Sequence, residues 1–135
     1  MENTDKKADK VIKKLTTAEI LGRRDDFRKR SGLTQELFIP ELGYSVSFRK
    51  PTSEECRISF GMDDDMSDLY ILSECMTEPN LKDPELLKEF GCIDSPLDIV
   101  EKIFSAGEVY NIALSIMTFA GYTSKYDTVD ELKNK

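Results

Sequence analysis

The side chains able to do chemistry are carboxylates and thiols, and the carboxylates crowd most closely at Asp63, Asp64, Asp65 and Asp68. Oxygen ligands at that density suggest calcium or magnesium. An EF-hand loop, however, needs alternating oxygen donors, a central glycine and a late glutamate, and this stretch has none of that spacing. The reading that fits is an acid-rich helix N-terminus, its carboxylates set against the positive end of the helix dipole. Glu54 with Glu55, or Asp94 with Asp98, could be written as general acid and base, but capping roles already account for most of these side chains. Cys56, Cys75 and Cys92 are odd in number and widely spaced, which suits neither a disulfide framework nor paired zinc ligands. They are expected to be reduced and partly buried. Histidine is absent, which removes the commonest general base, the usual partner of a nucleophilic serine or cysteine, and the commonest metal ligand. No phosphate-binding G-x-x-x-x-G-K-[ST], dinucleotide-binding G-x-G-x-x-G, H-E-x-x-H or G-x-S-x-G occurs. The expectation is a protein that is not an enzyme, with no catalytic, cofactor-binding or metal-binding residues.

Composition points the same way. A chain of 135 residues is the size of one domain and is long enough to bury a core without staples. With 39% hydrophobic and 33% charged residues, it suits a globular protein with a heavily charged surface. The net charge of −7 is unevenly spread: residues 1 to 30 hold ten Lys and Arg against six Asp and Glu, giving +4, and the rest hold nine against twenty, giving −11. An acidic body does not favour the phosphate backbone, so no nucleic-acid partner is expected. No apolar run approaches the roughly 20 residues of a membrane span, and the lysine-rich N-terminus lacks the apolar region of a signal peptide. The expected location is the cytoplasm.

The elements that must position these residues are written in caps. Residues 1–10 carry almost no apolar side chains and are expected to be a disordered tail. Thr16 with Glu19 forms a capping box, with Leu15 and Ile20 as staple, opening a helix from Thr17 toward Arg30. Its run Arg23-Arg24-Asp25-Asp26-Phe27-Arg28-Lys29-Arg30 reads as a solvated helix face, because acids interleave the bases, in preference to an arm for an acidic partner or nucleic acid. Segments Glu36–Ile39 and Tyr44–Arg49 then predict a small antiparallel β-hairpin near residues 35–49, with Tyr44, Val46 and Phe48 on one side. A two-stranded hairpin is marginal alone, so it must lie on the helices or pair with another copy. Tyr44, Val46 and Phe48 are thus the candidate oligomer contact. Thr52 with Glu55 caps a further helix that stops near Gly61, and the acid-rich helix follows through Leu72 to Met76. Residues 77–81 read as a loop. Asp83-Pro84 and Ser95-Pro96 open two more helices, the first closed by Gly91 with Cys92 packing back on Leu87.

The most strongly patterned stretch is Ser105–Tyr122. Ser105 and Glu108 form a capping box, Phe104 and Val109 a staple, and Gly121 supplies the left-handed residue that closes the helix and folds Tyr122 back onto Met117. Val109, Ile112, Ala113, Ile116, Met117 and Ala120 make one apolar face. Tyr110, Leu114 and Phe119 widen it until only a narrow polar strip remains, and a helix that apolar is central to a core or covered by another chain. The capped helix ahead of it makes a helical-hairpin core the use for the main face. That leaves Tyr110, Leu114 and Phe119 as the candidate partner-binding residues. The fold class is mainly α, of α+β type: a compact bundle of about five to six short helices with the hairpin, forming one domain over residues 11–122, followed by a polar, frayed tail over 123–135.

Taken together, Pro79-Asn80-Leu81, Leu86-Leu87-Lys88-Glu89-Phe90-Gly91-Cys92, Pro96-Leu97 and Phe104-Ser105-Ala106-Gly107-Glu108 leading to Gly121-Tyr122 resemble the phage tail assembly chaperones of the XkdN-like type. Thr17–Leu21 and Tyr44–Arg49 before Pro51-Thr52 fit more loosely, and Ala106 stands where relatives often have proline. The resemblance implies a non-enzymatic protein, absent from finished particles, whose copies associate with one another and coat the tape-measure protein. They would keep its apolar helices from aggregating and present it to tail tube protein, a further partner. The alternative reading is a structural or inhibitory phage protein: a virion component, or an acidic protein that occludes a basic nucleic-acid-binding site.

Overall fold

A computed structural model of the chain describes residues 12–122 and 126–134. The expected N-terminal tail, residues 1–10, lies outside them. The chain divides into two compact units, one formed by residues 29–123 and the other by residues 1–28 with 124–135.

In the larger unit the hairpin comes first. Strand β1 (Thr34–Ile39) pairs antiparallel with β2 (Tyr44–Arg49), setting Leu37 opposite Val46 and Gln35 opposite Phe48. Gly43 turns the connection at φ 73°, a conformation that costs a residue without Cβ nothing. The sheet does not stop at two strands. Met76–Glu78, expected as the last residue of a helix and the start of a loop, forms β3 and pairs with the other edge of β2, giving the order β1-β2-β3. At Ser47 and Phe48 β2 is thereby paired on both edges, which gives the hairpin a third strand within the same chain.

Between β2 and β3 lie two helices. Thr52 caps α3 (Ser53–Phe60), and its capping box with Glu55 is complete in both directions. The acid-rich stretch opens α4 (Asp64–Cys75) with Asp64 and Asp65 in the first turn. There, burial and then the charges of Asp64 and Asp65 hold the Asp68 carboxyl above its ordinary range. The Ser59 and Ser67 hydroxyls bond across the α3–α4 corner. After β3, Asp83 caps α5 (Pro84–Glu89), and Gly91 at φ 68° lets the Cys92 N–H reach the Leu87 carbonyl at 2.8 Å. The next helix, α6 (Asp98–Ile103), starts later than Ser95 suggests, because Asp98, Ile99 and Val100 first donate to carbonyls three residues back. That tighter winding turns Ile99 fully into the core beside Val100, a residue the simple spacing leaves out. Last comes α7 (Ala106–Phe119), with the expected Ser105–Glu108 capping box. Gly121 closes it at φ 99°, and Tyr122 donates to the Met117 carbonyl at 2.9 Å.

The core lies between the inner face of the sheet and helices α4, α6 and α7. Phe48, Leu72, Cys75, Ile99, Ile112 and Ile116 are among its fully buried members. All three cysteines are free and buried, and burial pushes the Cys75 thiol up to about 12.

In the smaller unit, α1 (Thr17–Gly22) and α2 (Arg24–Lys29) replace the single helix expected over Thr17–Arg30. Gly22, a poor helix former, precedes the break at Arg23, whose φ of −123° leaves the helical range. At the cap only the hydroxyl half of the Thr16–Glu19 box forms. A 3₁₀ turn, Arg30–Gly32, follows in the larger unit. Toward the C-terminus a third complete capping box, Thr128 with Glu131, opens α8 (Val129–Lys133), which the polar composition there did not suggest. The described residues thus hold eight α-helices and three strands. That is more helices than the five to six expected, and a three-stranded sheet where a hairpin was expected; the α+β class holds and an all-α description does not.

One ion pair ties the sheet to the helices. Arg49, the last residue of β2, donates from both terminal nitrogens to the two Glu55 oxygens, each at 2.9 Å, and its Nη2 also reaches the Glu74 carbonyl at 2.8 Å. Hydrogen bonds from Arg49 and, against the cost of burial, from Thr52 hold the Glu55 carboxyl down at about 2, against an ordinary value of 4.5. Because the folded value is the depressed one, the pair's contribution is complete above pH 4.5 and is lost as the pH falls toward 2. A Glu55→Gln substitution keeps an oxygen for the Thr52 cap while removing the charge. Urea unfolding at neutral pH should show a loss of about 1–3 kcal/mol, allowing for partial solvent screening. In the same variant, the acid-induced fall in stability below pH 4.5 should be shallower than in the parent.

Packing of the sheet gives a second test. Phe48 is fully buried whereas Tyr44 is 75% exposed. Phe48→Ala should cost about 3–5 kcal/mol in thermal or urea unfolding, and Tyr44→Ser should stay within about 0.5 kcal/mol.

Candidate functional site

Helix α7 divides its residues cleanly. Val109, Ile112, Ala113 and Ile116 are buried, with Met117 and Phe119 partly buried against the core. Tyr110 and Leu114, one turn apart, remain 61% and 52% exposed. They share the outer face with Asn111 and Thr118, so the surplus apolar stripe and the polar strip form one surface.

Leu114 forms part of a shallow groove of about 500 Å³ that Ser115, Thr118 and Phe119 line from α7 and Gln35 lines from β1. Register explains the company. Gln35 lies opposite Phe48, and the Phe119 ring meets Phe48 edge-on, with centroids 5.8 Å apart and planes at 73°. The groove therefore sits where the inner face of the sheet ends, beside an edge strand whose one strand neighbour among the described residues is β2. Lys50 Nζ stands 5.2 Å from the Phe119 ring centroid, a cation–π distance. None of the five lining residues is charged, in a chain with 33% charged residues. Leu114 and Phe119 supply apolar contact, while Gln35, Ser115 and Thr118 supply donors and acceptors. This is the chemistry of an apolar segment with a polar margin.

The residues singled out from sequence are thus brought together only in part. Leu114 and Phe119 share the groove, Tyr110 lies one turn away on the same helix, and Phe119 is partly spent on Phe48. Of the hairpin residues, Tyr44 is exposed, whereas Val46 and Phe48 are buried beneath the helices. They cannot reach another copy while this fold is intact, because the alternation that groups them also turns them inward. Gln35, Ser115 and Thr118 were missed; the signal for the last two was the polar strip itself, flanked by Leu114 at helical spacing.

The acidic stretch lies at the α4 N-terminus. Among the described residues no group of three or more Cys, Asp or Glu side chains could hold a metal ion, and no helix is long and apolar enough to cross a membrane.

No curated protein and no solved structure matches the chain. The family of phage XkdN-like tail assembly chaperone proteins does, over residues 49–133. That span runs from the end of β2 through α8 and contains α7 with all its groove residues, leaving β1 outside. It covers 85 of the 135 residues, and on that ground the chain belongs to the XkdN-like family of phage tail assembly chaperones.

Proposed function

We propose that the protein binds the tape-measure protein of its phage or prophage, keeps that long chain soluble, and supports assembly of the tail tube around it without becoming part of the finished particle. An apolar helical segment of the tape measure docks on the outer face of α7, with Leu114 and the adjoining rim of Phe119 as apolar floor and Tyr110 as flank. Tail tube protein approaches the complex later, when the chaperone is displaced. The observation that carries this reading is the uncharged groove at Leu114 on a domain of the tail assembly chaperone family. A helix-in-groove mode needs apolar anchors at helical spacing and a margin of hydrogen-bonding groups, and Tyr110, Leu114, Ser115 and Thr118 supply both.

Because Leu114 is half exposed, Leu114→Asp should leave unfolding stability within about 0.5 kcal/mol. The same change should weaken tape-measure binding by at least about tenfold, the effect of burying an unpaired charge at an apolar contact. Co-expression of the two proteins followed by co-purification and measurement of soluble tape measure is the check. No rescue of solubility by the wild-type chain would overturn the proposal, and its stoichiometric presence in finished particles would favour a structural virion component instead.

A further inference from the structure

Helices α1 and α2 contain no buried residue. Leu15 is 63% exposed, and Ile20 and Leu21 are exposed beside it. Two helices of six residues each are far too short to persist on their own hydrogen bonds, so the apolar side chains of this segment call for a surface to cover them. Its charge says which sign of surface. Residues 12–30 hold seven Lys and Arg against three Asp and Glu, a net +4, while residues 31–135 hold nine against twenty, a net −11.

At the α3–α4 corner of the larger unit, exposed apolar side chains stand within a few residues of three exposed aspartates. Phe60 is 62% exposed and meets the exposed Tyr122 ring edge-on, with centroids 5.5 Å apart. Met66 is exposed as well, and the Ser59–Ser67 bond draws the two ends of the corner together, with Phe60 and Met66 each next to one of the bonded serines. Asp63, just before α4, and Asp64 and Asp65 in its first turn lie between them and are all exposed. The corner shares no residue with the α7 groove.

We infer that the protein self-associates by an exchanged arm, in which the basic amphipathic segment 12–30 of one copy docks on the Phe60–Met66–Tyr122 corner of a second copy. Leu15, Ile20 and Leu21 cover the aromatic pair, and Arg23 and Arg24 face Asp63–Asp65. Opposite charges at the margin set the register and speed the encounter, and salt weakens them. The acids interleaved at Glu19, Asp25 and Asp26 disfavour an anionic membrane or nucleic acid as the cover, since both present unbroken negative charge.

A charge swap in the full-length chain tests this. Arg23→Glu with Arg24→Glu should weaken self-association at least about tenfold by sedimentation, as should Asp64→Lys with Asp65→Lys; mixing the two variants should restore it. Carbodiimide cross-linking of a mixture of isotope-labelled and unlabelled wild-type chains should join Lys13, Lys14 or Lys29 of one isotope to Asp63–Asp65 of the other. A wild-type chain that stays monomeric at low salt, cross-links confined to one copy, or failure of the mixed variants to associate would each overturn the inference. So would binding of wild-type chain to vesicles of anionic lipid without any inter-copy cross-link. The Leu114→Asp variant should self-associate like wild type, so failure of the arm is read separately from failure of the α7 groove.

Discussion

Arg49 gathers the larger unit around one guanidinium. It stands at the end of β2, yet its hydrogen bonds go to the Glu55 carboxylate at the start of α3, to the Glu74 carbonyl near the end of α4, and to the Lys50 carbonyl beside it. The Glu74 carbonyl belongs to the last turn of α4, where carbonyls lack helical partners and a cation is favoured. Glu55 Oε1 also accepts the Thr52 N–H, so the residue that starts α3 is the one that anchors the sheet. Glu74 itself pairs with Lys82 at 2.7 Å, extending the connection to the turn before α5. The planar fork of arginine makes both Glu55 bonds at once, which a lysine at this position could not do. The result is a fixed junction at which a strand, two helix ends and a loop meet, and Phe48, the neighbour of Arg49, is held in the core by it.

That junction explains why the hairpin could be foreseen but its surroundings could not. The alternation of Tyr44, Val46 and Phe48, the capping boxes at Thr52 and Ser105 and the closing glycines at 91 and 121 are local signals, each satisfied within a few residues, and each appears in the structure. The third strand is different. Met76–Glu78 has three residues and no pattern of its own; it is a strand because β2 offers an unpaired edge where α4 ends. Arg49 reaching Glu74 across 25 positions is likewise a product of the fold and leaves no trace in local spacing. The break at Arg23 shows the converse. Periodicity and caps predicted one helix, but Gly22 and the lack of any buried residue in that segment leave little to hold the helix straight.

For the candidate site the same distinction holds. The surplus apolar character of α7 was legible, because a helix needs only about a third of its circumference for a core and this one carries more. Which of the surplus residues remain outside was not. Phe119 turns against Phe48 and Tyr110 does not, a difference decided by the sheet lying beside the C-terminal half of the helix. Gln35 entered the groove through strand register, 79 positions away from Leu114 in sequence. A groove built by two distant elements is legible only once their pairing is known.

The larger unit therefore assigns its apolar residues to different tasks by geometry alone. The face of α7 at Val109, Ile112 and Ile116 is held by the sheet and by α4 and α6, and it is satisfied without any partner. The opposite face, with Leu114 at its centre, is bounded by hydroxyls and an amide, with the Lys50 ammonium over its Phe119 edge. On a body with net charge −11 over residues 31–135, five lining residues without a formal charge lower the desolvation cost of covering that face with apolar surface. Like charge over the rest of that body opposes non-specific association through the same face. The proposed docking of an apolar helix draws on both properties. A core secured by Arg49 and an outer face on α7 whose groove residues carry no charge are separate parts of the larger unit, and Leu114 is not among the side chains that hold that core.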